Sequence, residues 1–386
     1  MANLAWGVPA TATSFADLKQ ISRPIPTAGP GQVLVRLTAV SLNYRDLLVT
    51  TRNPVYPGIG GQGGAHAADI VPTCDGAGVI HSAGHPSRWA GREGTKVILH
   101  PNDWLSGDVR NLDLSSGLGA ADNDGGFYSR FVDLRDADLG IVGALQQWIA
   151  VPDERVVEAP EHLSASESSS LTTAGATAWA AIREYLDGSY DGKLRSWQGD
   201  GKRLQGQTVL TQGTGGVSCF AIQIAAALGA TVIVTSSSDS KLALAKELGA
   251  THGINYVTTP DWDQEVLRLT GGKGVDHVIE LGGARTLLQS VHSVRAGGLI
   301  SLIGILSAPK DIPFEIIPKL MLSGKTVKGC VAFSRDQTAE FARFVEEHQI
   351  KPVIAKQYEF KDALEAFRAL QDQTEVGKIV VKISDE

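Results

Sequence analysis

The chain has 386 residues, 43% of them hydrophobic and 20% charged, with a formal net charge of −7. That balance belongs to a soluble globular protein long enough for two domains, with no basic tract for nucleic acid or an anionic membrane and no apolar run approaching the roughly 18 residues of a membrane span. Three scattered cysteines, Cys74, Cys219 and Cys330, exclude a disulfide scaffold and a structural zinc knot.

The opening M-A-N-L-A-W-G-V-P-A has no cation before Lys19 and no continuous apolar core. No secretory signal is expected, and the cytoplasm is the expected compartment. Residues 1–165 read as strand-like and loop-rich. Gln32–Val40 alternates as a half-buried strand after the turn residues Ala28–Gly31, and Gly76–His81 and Thr95–His100 read as further short strands. Residues 102–140 and 186–206 are polar and predict a long loop or insertion and a surface loop. From Thr208 to about Ser307 strands alternate with helices. The strands are Val209–Gln212, Thr231–Thr235, His252–Asn255, His277–Leu281 and Leu299–Ile305. The helices are Cys219–Leu228, Lys241–Leu248, Asp263–Thr270 and Ala284–Val294. This alternation predicts an α/β fold with a doubly wound parallel sheet. The tail predicts helices Gln337–Glu347 and Lys361–Leu370 and a last strand, Gly377–Ile383.

The most informative stretch is V-L-T-Q-G-T-G-G-V-S at Val209–Ser218, running into an alanine-rich helix and then a second strand. Its G-x-G-G-x-S pattern departs from G-x-G-x-x-G, but it stands in a complete strand–helix–strand unit of about 30 residues. Gly213 permits the tight turn. Gly215 and Gly216 let backbone amides approach a pyrophosphate, and the helix N-terminus adds partial positive charge. The alternative is a glycine-rich structural turn. NAD sites usually end the second strand with an acid on the ribose 2′-hydroxyl. Here the strand ends T-S-S-S-D-S-K, so Ser236 and Ser237 occupy the ribose position and Lys241 follows as a cation. Hydroxyls and an ammonium suit a 2′-phosphate, which favours NADP(H). Asp239, the first acid, reads as the N-cap of the next helix.

The elements resemble the medium-chain dehydrogenase/reductase superfamily over essentially the whole chain. The phrases that carry the resemblance are Gly29–Asp46, D-G-A-G at Asp75–Gly78, A-T-A-W at Ala176–Trp179, Gln212–Ser218 and V-G-K-I-V-V at Val376–Val381. The resemblance implies a GroES-like, β-rich catalytic domain over 1–174 and 332–386 and a Rossmann NADP(H)-binding domain over 175–331. It leans to the zinc-independent branch of quinone oxidoreductases, enoyl reductases and some NAD(P)-dependent alcohol dehydrogenases. Positions that hold zinc ligands in similar enzymes carry Asn43, Cys74 with Asp75, and Thr173, which do not make a zinc site. No metal is expected, and Cys74 reads as a small buried residue.

The resemblance also suggests site residues. A Lys and a Tyr fifteen residues apart touch the 2′-phosphate in similar reductases, and Lys241 and Tyr256 have that spacing. Tyr256 alternatively packs as an edge aromatic. Asn43 and Asp46, in N-Y-R-D with Tyr44, line the nicotinamide pocket or hold its loop, and Asp46 alternatively caps a helix or pairs with Arg45. Tyr56 lies near where enoyl reductases keep a proton-donating Tyr, or packs in its loop. Thr177 resembles the Thr that approaches the nicotinamide. Thr214, Val217, Gly282, Gly304, Ile305 and Ser334 complete the candidate cofactor positions by the same resemblance.

The implied activity is zinc-independent, NADPH-dependent hydride transfer to a small molecule with a conjugated carbonyl, such as an enone, quinone or enoyl substrate. A zinc-free alcohol dehydrogenase or ketone/aldehyde reductase is the alternative enzyme, and a dinucleotide-binding structural or regulatory protein is the alternative outside enzymes. Neither a nucleic-acid nor a membrane partner is expected. A homodimer is, with the last Rossmann strand, read as the run Leu299–Leu306, pairing with its copy.

Overall fold

A computed structural model describes residues 2–9, 11–12, 14–50, 71–102, 104–107, 143–187, 203–304, 312–330 and 332–385. Tyr56, Ile305 and most of the loops expected at 102–140 and 186–206 lie outside the described residues. The chain divides into two units, one built on Met1–Ala176 and Ser334–Glu386, the other on Thr177–Asp191 and Arg195–Phe333.

The first unit opens with β1 (Asn3–Gly7) and β2 (Lys19–Arg23), paired antiparallel as a two-stranded sheet. β3 (Gln32–Leu42) is the long central strand, and α1 (Tyr44–Thr50) follows it. β4 (Asp75–Ala83), β5 (Lys96–Leu99), β6 (Trp148–Pro152) and β7 (Val156–Glu158) come next, then the short α2 (Ala165–Ser169). β3 pairs antiparallel with both β4 and β6, so its side chains are almost all covered. Val33, Val35, Leu37, Ile80, Val97 and Leu145 build the core there. α2 is opened by a capping box in which Ser164 and Glu167 satisfy one another's backbone N–H. A π-helical turn, Leu171–Gly175, continues from it.

The second unit takes in α3 (Ala176–Asp187) and six parallel strands. These are β8 (Thr208–Gln212), β9 (Thr231–Ser236), β10 (His252–Asn255), β11 (Val275–Glu280), β12 (Val294–Leu302) and β13 (Thr326–Gly329). They lie in the order β10-β9-β8-β11-β12-β13, so the strand order reverses between β8 and β11. The intervening helices are α4 (Gly216–Ala227), α5 (Asp239–Glu247), α6 (Trp262–Leu269), α7 (Leu287–Ser293) and α8 (Ile316–Ser323). β8 is buried on both faces, as a central parallel strand must be. α4 is apolar nearly all round and buries Phe220, Ile222 and Ile224, each contributing about 2–3 kcal/mol by removal from water.

The chain then returns to the first unit with α9 (Arg335–His348), β14 (Ile354–Glu359), α10 (Ala363–Asp372) and β15 (Lys378–Lys382). β15 pairs with β3, giving the order β14-β15-β3-β4-β5-β7 with β6 also on β3. Phe367 of α10 is fully buried in that unit's core. No helix among the described residues is long and apolar enough to cross a membrane.

The structure corrects two expectations. The strand expected at Leu299–Ile305 runs from Val294 to Leu302 and is not the edge, because β13 pairs along it. Asp239 is not the N-cap of α5: Ser238 is, with extended backbone and a hydroxyl that accepts the Lys241 N–H. Asp239 occupies the first turn, where a carboxylate also suits the helix dipole, and it accepts from Asn255 Nδ2 at 2.9 Å.

Candidate functional site

In the second unit the glycine turn follows β8. Gly213 has φ +73°, a conformation that disfavours a side chain. Its N–H donates to Thr235 O at 2.7 Å, which ties the turn to β9. Gly215 is the N-cap of α4, and a Cβ built there meets nothing within 4 Å. With no side-chain cap, the first amides of α4, at Gly216 and Val217, open onto that space as an anion cradle. Ser218 donates to Gln212 O at 2.7 Å and closes the turn from behind. This arrangement fits a dinucleotide pyrophosphate.

Thr214 and Ser236 approach each other, hydroxyl to hydroxyl, at 3.4 Å, and both are buried. Ser237 follows at the end of β9, and Lys241 lies in the first turn of α5. Tyr256 is 43% exposed, with its N–H donating to Ser236 O at 3.0 Å, so β10 delivers it beside the end of β9. The only acid close by in sequence, Asp239, is engaged by Asn255. Gly282 and Gly304 sit in close quarters: a methyl on Gly282 would run into the Thr286 side chain, and one on Gly304 into the Leu281 backbone carbonyl. Thr177 is half-buried near the start of α3.

In the first unit Asn43, Asp46, Cys74, Asp75, Thr173 and Lys378 form one polar cluster. Asp75, fully buried at the start of β4, accepts Asn43 Nδ2 at 2.9 Å, the Thr173 N–H at 3.1 and 3.2 Å, and the Thr173 hydroxyl at 2.5 Å. The π-helical turn presents both Thr173 donors to one carboxylate. Lys378, at the start of β15, has its ammonium 4.0 Å from Asp75 and donates to Leu42 O at 2.7 Å and Asn43 Oδ1 at 2.5 Å. Burial lowers the Lys378 pKa while the carboxylates Asp75 and Asp46 hold it up. Arg45 donates to Cys74 Sγ at 3.2 Å. Burial pushes the Cys74 thiol up to about 12, so it is protonated at neutral pH.

Asp46 is buried, and its carboxylate reaches back to accept the Asn43 N–H at 2.8 Å at the start of α1. Burial raises its pKa to about 6, against the lowering effect of Arg45. Tyr44 is 39% exposed. Ser334 is fully buried as the N-cap of α9, its hydroxyl accepting the Gln337 N–H at 3.2 Å.

Two family models match: "Alcohol dehydrogenase GroES-like domain" over residues 29–161 and "Zinc-binding dehydrogenase" over 216–347. A zinc-type alcohol dehydrogenase-like protein of Schizosaccharomyces pombe is 35% identical, covering 96% of each chain. The chain belongs to the medium-chain dehydrogenase/reductase superfamily. Among solved structures, a candidate alcohol dehydrogenase of Sinorhizobium meliloti 1021 is 34% identical over 99% of both chains, with a TM-score of 0.79. An NAD-dependent alcohol dehydrogenase is 28% identical over the whole of both chains, with a TM-score of 0.76. The protein is therefore an oxidoreductase with a dinucleotide-binding Rossmann unit.

The second family model is named for zinc, so the fit of the first-unit cluster to that ion matters. A catalytic zinc needs about three N, S or carboxylate ligands. Asn43 and Thr173 offer an amide and a hydroxyl, both already engaged, and Asp75 already accepts from both of them. The Lys378 ammonium and Arg45 guanidinium bring positive charge to the same place. No group of three His, Cys, Asp or Glu suited to a metal occurs among the described residues. These residues do not fit zinc.

Lys378 and the pair Gln212–Glu280 are not among the candidate site residues read from the sequence, although Lys378 and Gln212 fall within phrases that carry the resemblance. For Lys378 there is a signal, since a lysine opens the apolar run K-I-V-V at the start of β15, buried throughout.

Proposed function

We propose that the protein is an NADPH-dependent reductase that works without a catalytic zinc on a conjugated carbonyl, an enone, quinone or enoyl compound. The observation that carries this reading is the Asp75 cluster, where Lys378 supplies the positive charge beside the carboxylate and Asn43 is held at both ends of its amide.

When bound, the cofactor supplies the hydride. The chain's own part begins with holding the dinucleotide: Gly213–Val217 takes the pyrophosphate, and Ser236, Ser237 and Lys241 take the 2′-phosphate, with Tyr256 beside them. Near them the Asp239 carboxylate accepts the Asn255 side-chain amide. The Lys378–Asn43–Asp75–Thr173 chain fixes the residues before α1, so Asn43 and Asp46 act by holding that loop. Charge developing on the substrate oxygen has to be met by hydrogen-bond donors. An enolate or phenolate oxygen is less basic than an alkoxide and needs less help. That favours conjugated substrates over isolated ketones and leaves alcohol–ketone interconversion as the second reading, supported by the names of the relatives.

The test is NADPH oxidation with matched substrate pairs. Quinones or α,β-unsaturated carbonyls are expected to exceed saturated ketones and aldehydes at least tenfold in kcat/KM, about 1.4 kcal/mol of barrier. Comparable rates on saturated carbonyls move the assignment to the second reading.

A homodimer is part of the same proposal. Phe314 and, on α8, Met321 and Leu322 are 84%, 72% and 81% exposed, next in sequence to the edge strand β13. Such apolar residues beside a sheet edge suit a second copy. Light scattering is expected to give about twice 40.8 kDa. A strict monomer at micromolar concentration contradicts it.

A further inference from the structure

Glu280 ends β11 with its side chain fully buried, and among the described residues every hydrogen-bond partner of its carboxylate is neutral. Oε1 accepts the N–H groups of Gly282 and Gly283, each at 2.9 Å, and the Thr286 hydroxyl at 2.5 Å. Oε2 accepts Gln212 Nε2 at 2.6 Å and the Ser290 hydroxyl. An ionised carboxylate only accepts, and here it meets donors at all five contacts.

Gln212 is the residue before the glycine turn. Its Oε1 accepts the N–H groups of Leu281 and Gly282 at 3.1 and 3.0 Å. Its own carbonyl accepts Ser218, inside the turn. One residue therefore binds the end of β8 to the backbone just past β11. The Glu280 carbonyl in turn accepts Ile303 and Gly304 N–H at 2.9 and 3.1 Å, which brings in the end of β12. Three neighbouring strand ends are locked together where the strand order reverses, the place at which sheets of this topology bind a dinucleotide. The adenosine half lies toward β8 and β9, where the ribose contact ends the second strand, so the nicotinamide half lies toward β11 and β12.

We propose that Gln212 and Glu280 are positioning residues for the nicotinamide half of the cofactor: they hold the Leu281–Gly283 backbone against the glycine turn, so that this part of the floor is formed before the dinucleotide arrives. The proposal rests on the dinucleotide-binding reading. Burying a carboxylate is a costly way to close a strand end, and here most of its donors belong to the turn it shapes. Neither side chain has to touch the cofactor.

The experiment measures dissociation constants of the full-length protein by titration calorimetry for NADPH and for 2′,5′-ADP, which carries only the adenosine-side groups. Glu280→Gln keeps the shape but turns an acceptor into an amide donor facing other donors. It is expected to weaken NADPH at least tenfold and to move 2′,5′-ADP less than twofold. Thr286→Val removes a single donor and serves if Glu280→Gln does not fold. It is expected to weaken NADPH about fivefold, again with the fragment unmoved. Equal losses for both ligands mark a general loosening of the unit and overturn the proposal, as does unchanged NADPH affinity. A wild-type protein that binds neither of these nor NADH overturns the dinucleotide reading itself, and this proposal with it.

Discussion

Each unit of this protein completely buries a carboxylate, Asp75 in one and Glu280 in the other, and the two are compensated in different ways. Asp75 sits 4.0 Å from the Lys378 ammonium, near Arg45 and a second carboxylate, Asp46, in a cluster whose members come from the end of β3, α1, β4, β15 and the π-helical turn. Among the described residues Glu280 has only neutral donors, most of them within ten residues of it in the chain. The first solution is a charge balance: remove one partner and an uncompensated ion is left behind. The second is a distributed one, in which each donor carries a fraction of the load and none is decisive for stability. The same contrast separates roles. A charge-balanced cluster occupies the ground that the family gives to a metal, whereas a carboxylate wrapped in turn amides fixes backbone.

The largest effect that this contrast predicts is on Lys378→Met. Breaking a buried ion pair from one side costs about 3–5 kcal/mol, because Asp75 loses its nearest cation and the Asn43 amide its donor. Urea denaturation followed by circular dichroism measures it, and a loss under about 1 kcal/mol breaks the comparison.

Asp46 sharpens it through pH. Its folded pKa, raised to about 6 from 3.8, means the native state binds more protons than the unfolded state between those values. Its contribution to stability therefore falls as pH rises through that window and stays unfavourable above it, by about 3 kcal/mol. His100 and His277, both pushed down to about 3 by burial, slope the other way: stability tied to them is present above about 6.5 and lost as pH falls. The difference between Asp46→Asn and wild type isolates Asp46, and that difference is expected to swing toward the variant between pH 4 and 6. A gap constant with pH contradicts the assignment.

On the Glu280 side the counterpart is Ser290→Ala. It removes one of five donors and is expected to cost about 1–2 kcal/mol, clearly less than Lys378→Met. Equal costs for the two substitutions erase the distinction. Of similar size is the expected effect of Lys241→Ala, which weakens NADPH about tenfold, or about 1.4 kcal/mol, and leaves NADH unchanged. Parallel titrations of both nucleotides check it.

Much of the parallel sheet is legible in the sequence because its strands are apolar runs between glycine-rich turns, and for four of the six the expected and observed ends agree within three residues. β13 and α8 are not legible. Four residues, T-V-K-G, have no period, and their pairing with β12 makes them a strand. α8 has Pro318 near its start, and apolar side chains that stay exposed. In the first unit β1, β2, β6 and β7 are not singled out within the strand-like, loop-rich reading of residues 1–165, nor β14 in the tail, since each is short and takes its register from its partner strand. The glycine turn is legible for the opposite reason: Gly213 is needed for its own local backbone geometry. The polar clusters depend on distance in sequence. Lys378 meets Asn43 across 335 residues and Gln212 meets Glu280 across 68, and no local pattern announces either contact.

The central claim, that the Asp75 cluster is balanced by the protein's own cations and needs no metal, is tested most directly by elemental analysis of dialysed, active protein. Zinc well below one atom per chain, with NADPH-dependent reduction unchanged by a chelator, is the predicted result. About one zinc per chain, with activity lost on chelation and restored by zinc, contradicts it.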